Sequence, residues 1–452
     1  MTHRIQKCLY GVGLLWLTVA GNTQAADLTW LPTSGANAWN APANWSTGAL
    51  PTGSDTAYFN NTGTQTVNVT GGIGAGKPSN ITVASTGGGI LTFDKTVTGD
   101  VNILPGSTIT LGNGNGDQIV VANSSGAGAF NFYAQNAGNF NVGGTNATVT
   151  ATGAGVTVGS VSGYLVMRAG GGNTLLVENK ATARGNGLLI GDAPNINNIT
   201  LKVSGIGSTL NNFTRAIQLG GDNAHDDAGT GNSLTIENGA ALNSTGDFLL
   251  RAGTLILDSG TINLNAKALT MSTATSRFEA DGTLTAAKVT SSTDGAATAI
   301  GGDHAFGMLN ATLSDATTGW DNHHLSLQLE LGDLTDSPVA GTDYDFLNIA
   351  GVFTLGGNLQ IDLSNAMLPD GDDFSLKLIG WSSYSGAPDD LSVAFIGGSP
   401  LGYKIESDGL YIQAVPEPSA AGLLLISGGL LAAGMRTRRT VSRQSAFRLA
   451  RG

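Results

Sequence analysis

Cysteine is nearly absent from this chain, and the one residue present, Cys8, falls in a leader-like stretch expected to be removed. A mature chain then has no disulfide, no thiol nucleophile and no cysteine-ligated metal, so stability has to come from packing and backbone ladders. Cys8 also comes too early, and without small neighbours, to serve as a lipoprotein cysteine. Charge is scarce as well, at 12 % of residues, and unevenly placed. Eight of the 21 basic residues lie before Ala25 or after Met435, while all 33 acidic residues lie between Asp27 and Glu417. The body therefore sets 13 basic against 33 acidic residues, a net charge of −20. That balance excludes nucleic-acid binding, which needs clustered Lys and Arg to displace counterions from phosphates. Helical stripes are missing too: apolar residues come in short clusters, separated by 67 Gly and many Asn, Thr and Ala, the composition of strands and turns. At 452 residues there is room for two or three domains or for one elongated repeat structure.

The two ends differ from the body. Residues 1–26 combine a basic start (Arg4, Lys7), an apolar run at 8–20 containing Leu14, Leu15, Trp16 and Leu17, and a polar stretch ending at Ala25 and Ala26. This is the layout of a cleavable secretory signal, and the run is short of the about 20 residues a membrane span takes. Passage through the Sec translocon and cleavage by signal peptidase after Ala25 or Ala26 are expected. At the other end Val415, Pro416, Glu417 and Pro418 precede an uninterrupted apolar run at 420–435, followed by Arg436, Arg438 and Arg439. Positive charge after an apolar helix holds that end in the cytoplasm. With the N-terminus exported, the chain becomes a one-pass inner-membrane intermediate whose body faces the periplasm. The apolar run has 16 residues, so its hold on the bilayer is transient or helped by snorkelling arginines.

This three-part tail resembles the PEP-CTERM sorting signal of Gram-negative bacteria over residues 415–439. The resemblance implies that an exosortase, a membrane cysteine transpeptidase, recognises Pro416, Glu417 and Pro418 and cleaves near them, that Arg436, Arg438 and Arg439 form the stop, and that the host makes exopolysaccharide. Two prolines also hold the segment extended and free of backbone donors at their positions, which suits a protease groove. Residues 440–452 extend beyond the family's usual short basic end.

The middle of the chain repeats itself. Residues 146–155 (NATVTATGAG) match 198–207 (NITLKVSGIG) at an offset of 52, and 172–179 (GNTLLVEN) match 231–238 (GNSLTIEN) at an offset of 59. The seven extra residues fit an insertion within 222–229. Apolar triplets at 175–177, 188–190, 201–203, 217–219, 234–236 and 248–250 recur every 13 to 17 residues, with Gly-Asn and Asn-Gly pairs as turns. One such coil cannot bury its apolar side, whereas stacked coils share a core, which points to a β-solenoid. From Leu255 through Ile262, Leu269, Phe278 and Leu284 the spacing tightens to about seven, as in a tighter coil or a meander. The repeats at 140–260 resemble those shared by autotransporter passengers and PEP-CTERM proteins. Trp30, Trp39, Asn44, Trp45, Pro51 and the stretch Asp55 to Phe59 resemble the opening of such surface proteins, and the tryptophans are expected to cap the first coil, with carbohydrate stacking as the alternative. Residues 300–414 gain charge and aromatics and resemble the closing segment of the same proteins; no run of amphipathic barrel strands follows.

The expected fold is all-β: a right-handed parallel β-helix with a capped N-terminal end, a C-terminal β-rich segment and one short transmembrane helix. Its parts are a signal peptide (1–25), cap and first coils (26–140), solenoid repeats (141–299), a C-terminal β-rich domain (300–414), the sorting signal with its helix (415–439) and a basic cytoplasmic tail (440–452). A catalytic polysaccharide site would need acidic or basic side chains stacked on one face, and none stands out. His225, Asp226 and Asp227 form a polar triplet in the inserted loop that offers metal or acid–base groups but is expected to be solvated, and His323 and His324, after Asp321, point to opposite sides of a strand and so do not readily share one ion. Asp370, Asp372 and Asp373 around Gly371 offer oxygen ligands for Ca²⁺ but are expected to act as a plain turn, and no other cofactor is expected. The run Gly112 to Asp117 is likewise a turn, since the Ca²⁺-binding nonapeptide works in stacked copies. The leading expectation is an exported, non-enzymatic surface or matrix protein associated with exopolysaccharide or biofilm. The alternatives are a β-helix polysaccharide lyase or hydrolase, and a glycan-binding adhesin using Trp320, Trp381, Tyr384 and Tyr403.

Overall fold

Short segments that alternate apolar with polar residues bury their apolar side only when stacked, and this chain stacks them in parallel. The computed structural model describes residues 25–414 except 72–76, 85–88, 194, 222–228, 303–305, 336, 370–373 and 398–400. Across the central coils each strand pairs in register with the strand three places further along the chain. Thr148–Thr152 lies beside Thr174–Glu178, which lies beside Thr200–Ser204, which lies beside Ser233–Glu237. We call this stack sheet I. Val156–Ser160, Thr182–Arg184, Thr209–Phe213 and Ala241–Ser244 belong to sheet II. Tyr164–Met167, Gly187–Ile190, Ile217–Leu219 and Phe248–Leu250 belong to sheet III. The described residues thus form an all-β solenoid of three parallel sheets, with no α-helix among them.

The register explains the repeats. Val149 faces Leu175 and Leu175 faces Leu201, two steps of 26 residues, so the offset of 52 spans two coils. Thr174 faces Thr200 and Thr200 faces Ser233, steps of 26 and 33, which make the offset of 59 and place the insertion before Ser233, where residues 222–228 lie outside the described set. A two-coil period arises at the corner leading into sheet I. Asn173 is fully buried there; its amide donates to Gly144 O (2.9 Å) and Ala169 O (2.6 Å), and its Oδ1 accepts from Ala147 N (2.9 Å). Asn232 repeats the arrangement with Ile196 O, Gly229 O and Ile199 N, each at 3.0 Å. Each Asn thus clips its coil to the preceding one, whose matching position is apolar (Ala147, Ile199). The residue just before alternates as well: Asn146 and Asn198 are left-handed (φ 55° and 57°), and so are Gly172 and Gly231 (φ 71° and 72°). Glycine suits the latter two because it takes positive φ without strain and leaves room for the side-chain oxygen of Asn146 or Asn198, which a Cβ would displace.

Where the spacing tightens to about seven, the structure takes the tighter coil and not a meander. Gly253–Asn263 and Ser276–Ala286 each run through sheets I and II as one bent strand, turning at Ser259 (φ 55°) and Gly282 (φ 136°). Leu255, Ile262 and Leu269 are then one inward anchor from each sheet.

The two ends are built differently. At the start, Trp30, Trp39 and Trp45 fill the interior of the first coil. Trp45 meets the other two edge-on at 5.1 Å, and the aromatic run continues through Phe59, Phe93 and Phe132. Trp30 Nε1 donates to Gln65 Oε1 (2.9 Å) and Trp45 Nε1 to Trp39 O (3.0 Å), so two of the three indole N–H groups are satisfied inside. Beyond residue 300 the parallel ladder continues through Met308–Leu313, Leu325–Glu330, Phe346–Thr354, Asn358–Asp362 and Ser392–Ile396. A hairpin of Leu401–Glu406 and Gly409–Ala414 then pairs antiparallel onto Ser375–Ser385. Its outer strand carries Lys404 and Glu406, charges that discourage further strand addition.

Candidate functional site

Several residues singled out in the sequence lie outside the described residues: the sorting motif Val415, Pro416, Glu417, Pro418, Arg436, Arg438 and Arg439, the triplet 225–227, and Asp370, Asp372 and Asp373. The expected transmembrane run at 420–435 lies outside them too, and no helix among the described residues is long and apolar enough to cross a membrane. The expected signal-cleavage residues are placed. Ala26 immediately precedes the first strand, Asp27–Thr29, and its N–H donates to Asp55 Oδ1 (3.1 Å). Burial works to raise the Asp55 pKa, but hydrogen bonds from the Thr52 hydroxyl, Thr52 N and Ala26 N outweigh it and hold the carboxyl below its usual range.

The aromatic glycan contacts need correction. Trp320 and Trp381 are 0 % and 5 % exposed, because they point into the wide C-terminal coils. Trp381 is stacked on Phe353 at 5.3 Å, and Tyr384 lies against it at 5.6 Å. Tyr384 and Tyr403 alone reach solvent, at 38 % and 39 %. Trp30, Trp39 and Trp45 are likewise interior, so they offer no stacking face to a sugar.

His323 and His324 lie in the turn before Leu325–Glu330 and not on the strand expected, and each pairs with a different carboxylate. His323 Nδ1 lies 2.9 Å from Asp321 Oδ1 and His324 Nδ1 lies 2.6 Å from Asp294 Oδ1, two separate surface pairs. Among the described residues no group of three or more His, Cys, Asp and Glu side chains is placed to hold a metal ion.

Sequence reading missed Asp345, a fully buried carboxyl that ties distant segments together. Its oxygens accept from Gly307 N (2.9 Å) and Glu330 N (2.7 Å). Burial pushes its pKa up to about 8; the two N–H bonds oppose the rise, and the charges of Glu330 and Asp281 add to it. Its partners lie 38 and 15 residues away, beyond any local pattern.

The outward positions carry Thr, Asn, Lys and Glu as solvated faces, as the sequence leads one to expect, but their division between the sheets was the second feature missed. Register stacks the outward side chains of sheet II into two columns. One runs Asn102, Asn131, Thr157, Thr182, Thr209, Ala241, Thr261, Thr283, Asn310 and Asn348. The other includes Asn243, Asn263, Thr285 and Thr312. Hydrogen bonds run along the stack: Asn131 to Asn102 (2.7 Å), Thr182 with Thr209 (3.0 Å) and Asn348 to Asn310 (3.0 Å). Arg184, lying 5.4 Å over the Tyr133 ring, is the one charged residue in the sheet II strands from Val101–Ile103 to Phe346–Thr354, apart from the sheet I halves of the two bent strands. The recurring Thr-x-Asn and Thr-x-Thr triplets at 261–263 and 283–285 were the available signal. Sheet I differs by its charge: beside an outward column of Thr148, Thr174, Thr200, Ser233 and Thr254 it carries Asp94, Glu178, Lys202, Glu237, Asp258, Arg277, Glu279, Asp281, Glu330 and Asp362 outward.

Comparison of the chain with protein-family models and with curated proteins returns no match.

Proposed function

We propose that this protein is an exported, non-enzymatic component of the cell surface or extracellular matrix, a right-handed parallel β-helix associated with exopolysaccharide or biofilm. It passes the Sec translocon, loses residues 1–25 to signal peptidase, and is held in the inner membrane by the apolar run at 420–435. An exosortase acting at Pro416 to Pro418 then passes it to the surface. The observation that carries this reading is the order of parts: a solenoid whose first strand begins at Asp27, directly after the expected cleavage point, and whose closing hairpin ends at Ala414, directly before Val415-Pro416-Glu417-Pro418. The right hand rests on the general preference of parallel crossovers for that hand. A body of net charge −20 on a stiff ladder favours solubility and disfavours indiscriminate association.

Cleavage after Ala25 suits the structure best, because the new α-ammonium of Ala26 then sits where its N–H already meets Asp55. Intact mass spectrometry of the protein isolated from its host is the test. The expected mass lacks residues 1–25 and everything beyond 415–418. A mass that keeps 420–452 removes the exosortase, and a mass that keeps 1–24 removes the secretory signal.

A further inference from the structure

We propose that the outer face of sheet II binds an uncharged polysaccharide laid along the solenoid axis. This rests on the reading of the protein as a matrix component and names the partner and the surface. Three observations carry it.

The first is chemical. Threonine hydroxyls and asparagine amides each donate and accept, so they match sugar hydroxyls in either orientation. The first sheet II column consists of these two residue types apart from Ala241, with Thr261, Thr283 and Asn348 exposed on it, and the second carries Asn243, Asn263, Thr285 and the exposed Thr312 beyond Arg184.

The second is the register. Direct parallel pairing repeats the same groups about every 4.8 Å along the axis. A linear polymer lying along that axis meets an equivalent set of groups on successive coils, and many weak contacts then add. The hydrogen bonds between Thr182 and Thr209 and between Asn348 and Asn310 fix those side chains before any ligand arrives.

The third is the charge pattern. An anionic polymer would be repelled by a body of net charge −20 and would meet Arg184 as the single cation in these sheet II strands. A cationic polymer would be drawn to the acidic column of sheet I. An uncharged, hydroxyl-rich chain is the partner that sheet II does not discriminate against.

The experiment is co-sedimentation of the protein purified from its host with particles of cellulose or curdlan, both uncharged, and with calcium alginate beads, which are anionic. Retention on at least one uncharged polymer is expected, unchanged between about 0.15 M and 1 M salt because no ion pair is involved. Thr261→Asp combined with Thr283→Asp places two charges in the column and should weaken retention about tenfold or more. Thr200→Asp combined with Thr235→Asp, on the outer face of sheet I, should leave it unchanged. Unaltered melting temperatures for both pairs establish that folding is not the cause, and Thr283→Lys, of opposite sign, should weaken retention as the aspartates do. No retention on either uncharged polymer, preference for alginate, or equal loss from the sheet I pair overturns the proposal. The assay reads sheet II whatever termini the purified chain carries, so its failure is distinct from a failure of the sorting reading.

Discussion

Sheets I and II run side by side from Val101 onward in one solenoid, share its core and differ outside in where their charge lies. On the inside both present buried aliphatic residues: Leu234 and Ile236 from sheet I and Leu242 from sheet II are all inaccessible to solvent. On the outside sheet I stacks Glu237, Asp258 and Asp281 in direct register, whereas sheet II stacks Thr261 and Thr283 in its first column and Asn263 and Thr285 in its second. A parallel ladder constrains the inward half of each strand and leaves the outward half free, so two faces of one fold can be given unlike chemistry. Stacked carboxylates about 4.8 Å apart repel one another, a cost that high dielectric keeps small at the surface.

If the difference lies outside only, deletions inside should not distinguish the sheets. Leu234→Ala on sheet I and Leu242→Ala on sheet II are each expected to cost about 2–5 kcal/mol, read as a shift in denaturant midpoint. A cost confined to one of them would break the comparison at its root. Next in size is Asn232→Ala at the corner of sheet I. It removes two N–H donors and one acceptor and leaves Ile199 N, Ile196 O and Gly229 O to find other partners, for an expected loss of about 2–3 kcal/mol. Asn131→Ala on the outer face of sheet II, which loses one half-buried hydrogen bond, should stay within about 1 kcal/mol. Comparable losses would mean that the corner clip is not what couples coils in pairs.

Asp345 supplies a pH-dependent contrast within the C-terminal coils. Its pKa is raised from 3.8 to about 8, so the folded chain holds a proton that the unfolded chain releases near pH 4. The stabilisation from the protonated form is complete below about pH 4 and is lost as the pH rises through about 8. Thermal melts of Asp345→Asn should lose that part of the decline between pH 4 and 8. A slope unchanged from the parent chain would show that the carboxyl titrates elsewhere.

The solenoid was legible because sheets I and III each show a strong apolar triplet per coil, such as 175–177 and 188–190. Sheet II was not, because its short strands carry few inward aliphatic residues, Ala183, Leu210 and Leu242 among them, and a spacing of 13 to 17 passes over them. The offset of 52 was read correctly from the letters, but its cause, alternation of Asn173 with Ile199 at one corner, is a hydrogen-bond pattern between coils. Trp320 and Trp381 looked available to sugars because the C-terminal region gains charge and aromatics. The coils there advance 29, 32 and 34 residues, from Thr298 to Leu327 to Leu359 to Val393, and large side chains fill the wider interior. Asp345 could not be read at all, since its partners are set by coil stacking and not by neighbours in sequence.

The smallest effect is also the most direct probe of the outer faces. Glu237 accepts from Lys202 Nζ at 2.8 Å and from Ser204 Oγ at 2.8 Å, while Asp258 lies in register on the next coil. Burial raises its pKa, but the Lys202 and Ser204 contacts outweigh this and hold the carboxyl below its usual range, so attraction exceeds repulsion. Glu237→Gln should therefore destabilise, by about 0.5 kcal/mol at low ionic strength, and the effect should vanish near 1 M salt. Thr285→Val, on the outer face of sheet II, changes no charge and should show the same small effect at both salt concentrations. A Glu237→Gln effect that ignores salt would mean that the acidic column is held by hydrogen bonds alone. A Thr285→Val effect that follows salt would mean that the uncharged face senses the charged one across the core.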